Sequence, residues 1–182
     1  MLLVIFAVFL PQLGAENRRV IPLDMYLIID GSQALNRQKD IIIPWIKEQI
    51  LDLTLQEGDR LTIWSAEDRA RVIFSGPITT ETKAQIIDII AALEATAVAA
   101  DFSGALVDAA ARSAQTPRER LPYTMLIKAS AASVEPLLTG SASRLLRYSR
   151  SKRHEGWQVL VTAPHIGDRV RQAAIAYMNS QR

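Results

Sequence analysis

Met25-Tyr26-Leu27-Ile28-Ile29 is an unbroken apolar run that stops at Asp30-Gly31-Ser32, the pattern of a strand covered on both faces and followed by a polar loop. Leu35, Ile42, Ile43, Ile46, Ile50 and Leu53 then recur at helical spacing, which predicts a helix over Gln33 to Leu53 that Pro44 interrupts or restarts. Leu61 to Ser65 and Arg71 to Phe74 read as strands. The short polar turn between them, Glu67, Asp68 and Arg69, makes them a hairpin and the second an antiparallel edge. Thr79-Thr80-Glu81 opens a helix that Ile86, Ile90 and Leu93 carry to about Ala95, and an alanine-rich helix runs from Ser103 to Ala114, closed by Thr116-Pro117. Tyr123 to Ile127 reads as a fourth strand, Arg144 to Arg153 as a basic helix, Trp157 to Val161 as a fifth strand and Asp168 to Met178 as a terminal amphipathic helix. Strands that mostly alternate with helices need right-handed crossovers. The predicted fold is therefore α/β: a doubly wound, mostly parallel, Rossmann-like sheet with one antiparallel edge strand and helices on both faces.

The amino terminus departs from this alternation. Leu2 to Leu10 is apolar throughout and is followed by Pro11, the small pair Gly14-Ala15 and polar Glu16-Asn17-Arg18-Arg19, the outline of a secretory signal cleaved after Ala15. The run is about half of the roughly 20 residues a spanning helix needs. The expectation is a signal peptide over 1–15 and a single domain over 16–182, secreted or periplasmic and with no membrane span in the mature form; the alternatives are a buried first strand or helix, or a misassigned chain start that clips a basic n-region. With 182 residues and 49% hydrophobic content the chain can close one core without staples. It has no cysteine, which excludes disulfides, thiolate metal sites and a cysteine nucleophile, and two histidines leave little material for zinc. A net charge of +2, from 21 Lys plus Arg against 19 Asp plus Glu, is too weak a field for a dedicated nucleic-acid binder.

In an open parallel sheet ligands bind outside the carboxyl ends of the strands, so the informative stretches are Asp30 to Ala34, Ala100 to Gly104 and Lys128 to Ser130. The strand ending in Asp30-Gly31-Ser32-Gln33-Ala34, the later Ala100-Asp101-Phe102-Ser103-Gly104-Ala105-Leu106 and the strand Tyr123 to Ile127 resemble the von Willebrand factor A domain family. The similarity in element order extends from about Pro22 to Met178. Members with an intact metal-ion-dependent adhesion site place Asp-x-Ser-x-Ser after the first strand, a Thr in the middle loop and an Asp after the fourth strand. Those oxygens hold a small hard cation with one position open to a partner's carboxylate. Here Asp30 and Ser32 match, but the second serine is Ala34, the threonine falls on Ala100 and the late aspartate on Lys128 or Ala129. The resemblance therefore implies a degenerate site rimmed by Asp30, Ser32, Ala34, Ala100, Asp101 and Lys128, with no metal and no cofactor. A Lys128 ammonium pointing into that site would repel a divalent cation and pair with Asp30 or Asp101 in its place.

Plainer roles compete with each assignment. Asp30 or Ser32 is expected to cap the helix that follows, Asp101 the helix from Ser103, and Lys128 is expected to be a solvated residue at a strand end. Trp45, Trp64 and Trp157 are expected in the core. No Gly-x-Ser-x-Gly elbow, phosphate loop or His-Glu-x-x-His motif is present, so a hydrolase built from Ser32, Ser65, Ser103, His154 and His165 is the weakest reading and no catalytic residue is assigned. Arg144, Arg147 and Arg150, with Lys152 and Arg153, form a basic stripe suited to an acidic protein or envelope polymer, or else a solvated helix face. The function expected is an exported, metal-independent, non-catalytic protein-interaction module. A weak Mg²⁺- or Ca²⁺-dependent adhesion domain, using Asp30, Ser32, Asp101 and waters, is the alternative.

Overall fold

The computed structural model describes residues 19–129, 138–151, 158–162, 175, 176 and 179. Its sheet has five strands, β1 (Leu23–Asp30), β2 (Arg60–Ala66), β3 (Ala70–Pro77), β4 (Leu121–Ile127) and β5 (Gln158–Thr162), in the order β3-β2-β1-β4-β5. β1 pairs in parallel with β2 and β4, and β4 with β5, while β3 runs antiparallel to β2 on the outer edge. This is the doubly wound sheet with one antiparallel edge that the alternation of patterns predicts.

β1 is buried along its whole length because helices cover both of its faces. The period of two then divides its side chains. Leu23, Met25, Leu27 and Ile29 enter one core with Ile42, Ile46, Ile50, Ile86 and Ile90, whereas Tyr26 and Ile28 enter a second with Trp64, Phe102, Leu106 and Leu126. Trp64 is thus a core residue, with its indole N–H donating to Asp108 Oδ2 at 2.9 Å, and Trp45 packs partly buried against the first core. Trp157 lies outside the described residues.

The long helix predicted after β1 is broken in the structure. It divides into α1 (Gln33–Asn36), α2 (Lys39–Trp45) and a π-helical continuation, Ile46–Asp52. Pro44 stands inside α2, where it has no N–H to donate. Beyond it the bonds lengthen to five residues, Leu53 N–H to Glu48 O at 3.1 Å and Leu55 N–H to Ile50 O at 2.9 Å. The wider turn brings Ile46, Ile50 and Leu51 to the core together. α3 (Thr80–Ala91) begins in a capping box between Thr79 and Thr82 and ends four residues before the predicted Ala95. α4 (Phe102–Ser113) matches the alanine-rich pattern, and α5 (Gly140–Ser151) starts four residues before the predicted Arg144, at a glycine with φ of 54°. The predicted terminal helix lies mostly outside the described residues. None of the described helices is long and apolar enough to cross a membrane.

Two ion pairs close the amino edge of the sheet. Arg19 meets Asp59 through both ends of its guanidinium, Nη1 donating to Oδ1 at 2.7 Å, and both side chains are almost fully buried. Asp59 also accepts the backbone N–H groups of Leu23 at 2.8 Å and Gln56 at 2.7 Å. Arg120 holds Asp24 at the base of β1 and donates to Leu23 O at 3.0 Å.

Candidate functional site

The chain leaves β1 toward β2 on one side and reaches its other neighbour, β4, only after β3, α3 and α4. The strand order therefore reverses at β1, and the crevice outside the carboxyl ends of β1 and β4 is the switch point of the sheet. Asp30 ends β1 there, 3% exposed. Its Oδ1 accepts the Ser32 backbone N–H at 3.0 Å and the Ser32 hydroxyl at 2.6 Å, and its Oδ2 accepts the Ala129 N–H at 3.0 Å. One buried carboxylate thus ties the loop after β1 to the loop after β4.

Ser32 occupies the N-cap position of α1, but its side chain makes no cap bond. Its hydroxyl donates to Asp30 instead, which corrects the expectation of a serine cap. Gly31 permits the close passage of β2. Its N–H donates to Ala66 O at 2.9 Å, and a Cβ there would stand 2.6 Å from Ser65 Oγ and 2.9 Å from Ala66 O. The Gln33 N–H bonds Ala97 O at 2.9 Å and draws the middle loop against the first. At the tip of that loop Val98 is 89% exposed.

Asp101 caps α4 as expected, with Oδ1 accepting the Gly104 N–H at 2.8 Å. Its Oδ2 accepts the Ala70 N–H at 3.2 Å and its own N–H donates to Glu67 O at 2.7 Å, so the start of α4 is clamped to the β2–β3 turn. Glu67 Oε1 in turn accepts from Arg71 at 2.7 Å and from the Ser65 hydroxyl at 2.9 Å. The hydrogen bond from Arg71, helped by that from Ser65, holds the Glu67 carboxyl below the usual range against the opposing effect of its partial burial. Glu67, Arg71 and the Ala129 N–H are parts of this rim that the sequence reading missed. The one signal for Glu67 was its place just past the end of β2, the strand beside β1.

Lys128 is 7% exposed, which corrects its reading as a solvated strand-end residue. It follows the last register pair of the two strands, Ile29 with Ile127, at the level of Asp30. Ala34 and Ala100 are partly buried and pack against the first and second cores respectively. The structure thus brings Asp30, Ser32 and the Lys128-Ala129 backbone together, while the side chain of Asp101 turns to α4 and the hairpin.

Of the serines proposed as nucleophiles, Ser32 is bonded to Asp30, Ser65 to Glu67, and Ser103 Oγ accepts the Thr139 N–H at 3.0 Å. His154 and His165 lie outside the described residues. Arg144 is exposed on α5, whose helical backbone also includes Arg147 and Arg150; Lys152 and Arg153 lie outside the described residues. Among the described residues no three His, Asp or Glu side chains are placed to share one ion.

No protein-family model matches the sequence, and no curated protein does. Solved structures do match. A von Willebrand factor type A protein from Catenulispora acidiphila is 14% identical over 87% of this chain and 43% of its own, with a TM-score of 0.57. Proximal thread matrix protein 1 from the mussel byssus, with a zinc-occupied MIDAS motif (the metal-ion-dependent adhesion site), is 16% identical over 85% of this chain and 46% of its own, with a TM-score of 0.55. Manganese-loaded TRAP protein from Plasmodium vivax is 14% identical over 82% of this chain and 62% of its own, with a TM-score of 0.52. The chain spans less than two thirds of each of these proteins. Identities this low carry the fold and nothing finer: from β1 to β5 the chain has the fold of a von Willebrand factor A domain.

Proposed function

We propose that the chain is an exported, non-catalytic protein-interaction module of von Willebrand factor A type that engages its partner without a bridging metal ion. The observation that carries this reading is the engagement of the rim carboxylates. Both oxygens of Asp30 and both oxygens of Asp101 already accept hydrogen bonds from the protein's own N–H and O–H groups. A hard cation needs near-octahedral oxygen donors. At the three further positions where the adhesion site supplies oxygens, this chain has Ala34, Ala100 and the pair Lys128-Ala129. The donor set does not fit such an ion. A cation would have to displace the Ser32 and Ala129 donors from Asp30 and settle beside a buried ammonium-bearing residue.

On this reading Asp30, Ser32 and Asp101 are a hydrogen-bonded scaffold around which Lys128 is buried, and the loops of Ala34 and Ala100, with exposed Val98, are the surface offered to a protein partner. The basic residues Arg144, Arg147, Arg150, Lys152 and Arg153 favour an acidic partner or envelope polymer, and residues 1–15, read as a signal peptide, direct the domain to an extracytoplasmic space. The test is the melting temperature of the purified domain through a Mg²⁺ titration at constant ionic strength, in the unaltered protein and in Asp30→Ala. The expected result is no saturable shift in either. A saturable rise in the unaltered protein that Asp30→Ala abolishes overturns the metal-independent reading.

A further inference from the structure

The edge of the sheet opposite the rim holds a cleft of about 340 Å³, between the amino ends of β1 and β2, the carboxyl end of β3 and the carboxyl end of α4. Its size falls within the range of small-molecule sites, and most of its lining is polar. The charges in that lining are unequally satisfied. Asp24 is neutralised by Arg120 from below. Arg112 is fixed over the Trp64 ring, 5.4 Å from its centroid, and its Nε bonds Asp108 at 3.3 Å. Arg60 is exposed and has no ion pair among the described residues. Among the described residues the cleft therefore has one cation, Arg60, that makes no ion pair, although Asp24 is its register partner on β1, and a second, Arg112, held in place by an aromatic ring.

Four hydroxyls line the same space in two pairs, Thr62 with Ser75 at 3.1 Å and Tyr26 with Thr116 at 2.8 Å. Each pair shares a single hydrogen, so each has a second O–H left to donate. Burial keeps the Tyr26 phenol protonated, its pKa raised above the usual 10.0 even with the hydrogen bond from Thr116 and two arginines acting against the shift. We propose that this cleft binds a small anion bearing several oxygens, a phosphate or carboxylate group, with Arg60 as the anchoring cation and the Thr62–Ser75 and Tyr26–Thr116 hydroxyls as neutral donors. A guanidinium presents a planar fork of N–H groups that matches both anions. This site lies at the opposite end of β1 from the adhesion rim and is independent of the function proposed for that rim.

Inorganic phosphate and succinate are the probes, each titrated calorimetrically into the full chain at fixed ionic strength with chloride as the balancing ion. Saturable binding of either one supports the site, and which of them binds identifies the oxyanion. Arg60→Gln is expected to weaken that binding by about tenfold or more, the loss of one charge-assisted hydrogen bond. Arg69→Gln, on the β2–β3 turn at the far edge, is expected to leave it unchanged. Arg60→Lys keeps the charge without the fork and is expected to fall between the two, which gives a second reading should Arg60→Gln fold poorly. Absence of saturable binding by both probes, or equal weakening in Arg60→Gln and Arg69→Gln, overturns the proposal.

Discussion

Replacing Asp30 asks whether the rim carboxylate supports the fold or waits for an ion. In Asp30→Ala the backbone N–H groups of Ser32 and Ala129, both buried, lose their acceptor, while the Ser32 hydroxyl is able to rotate toward another. Each stranded buried donor costs about 1–3 kcal/mol, so the variant is expected to lose about 2–6 kcal/mol. Asp30→Asn is the finer probe. An amide accepts at its oxygen alone, and its NH₂ must then face either the Ser32 donors or the Ala129 N–H, for a loss of about 1–3 kcal/mol. Urea unfolding in metal-free buffer reads both values. With a slope of about 2 kcal/mol per molar, Asp30→Ala is expected to lower the midpoint by about 1–3 M. A cation ligand without its ion behaves in the opposite way, because removing it relieves an unsatisfied buried charge. Variants within about 0.5 kcal/mol of the unaltered protein, or above it, would refute the scaffold role.

Three further outcomes follow from the same geometry. Gly104→Ala drives a Cβ into Asp101 Oδ2, so it is expected to dislodge the α4 cap at a cost of about 1–2 kcal/mol; in a double-mutant cycle its effect and that of Asp101→Ala should be strongly non-additive, and simple additivity would contradict a shared cap. Asp59→Ala leaves the Arg19 guanidinium buried without its partner and strands the Leu23 and Gln56 N–H groups, for an expected loss of about 3–5 kcal/mol in urea unfolding; a loss below about 1 kcal/mol would show that the pair does not close the base of the sheet. The folded-state pKa of Glu67 lies below its ordinary 4.5, so its contribution is fully present above that value and is lost as pH falls through the lowered one. Melting temperatures of the unaltered protein and Glu67→Gln should therefore differ near neutrality and converge as the pH drops below about 4.5, whereas a constant offset would exclude the Arg71 and Ser65 bonds as its cause.

Much of this architecture is readable in the chain itself, and the parts that are not share a physical character. The run Met25 to Ile29 announces a strand covered on both faces, and the short turn Glu67 to Arg69 forces β3 into an antiparallel edge. β3 extends past the predicted Phe74 to Pro77 because pairing with β2 holds Ser75 and Gly76 in place, where their own strand preference is poor. Pro44 marks a weak point in the long helix, but the change to five-residue hydrogen bonds after Trp45 depends on how Ile46, Ile50 and Leu51 pack against the sheet. At the rim, Asp101 as a cap is local and legible from Asp101-Phe102-Ser103-Gly104. The bond from Asp30 to Ala129 spans 99 residues and the pair of Arg19 with Asp59 spans 40, and no local pattern encodes either. Lys128 misleads for the related reason that a charged residue at a strand end is ordinarily solvated, and only the closing of neighbouring elements buries it.

On the proposed reading, hydrogen bonds hold the rim where the adhesion site holds an ion. Electron paramagnetic resonance counts free Mn²⁺ directly as the full chain is added at constant ionic strength. The expected result is a free-Mn²⁺ signal that the protein does not reduce in a saturable way. One ion taken up per chain, released again in Asp30→Ala, would contradict it.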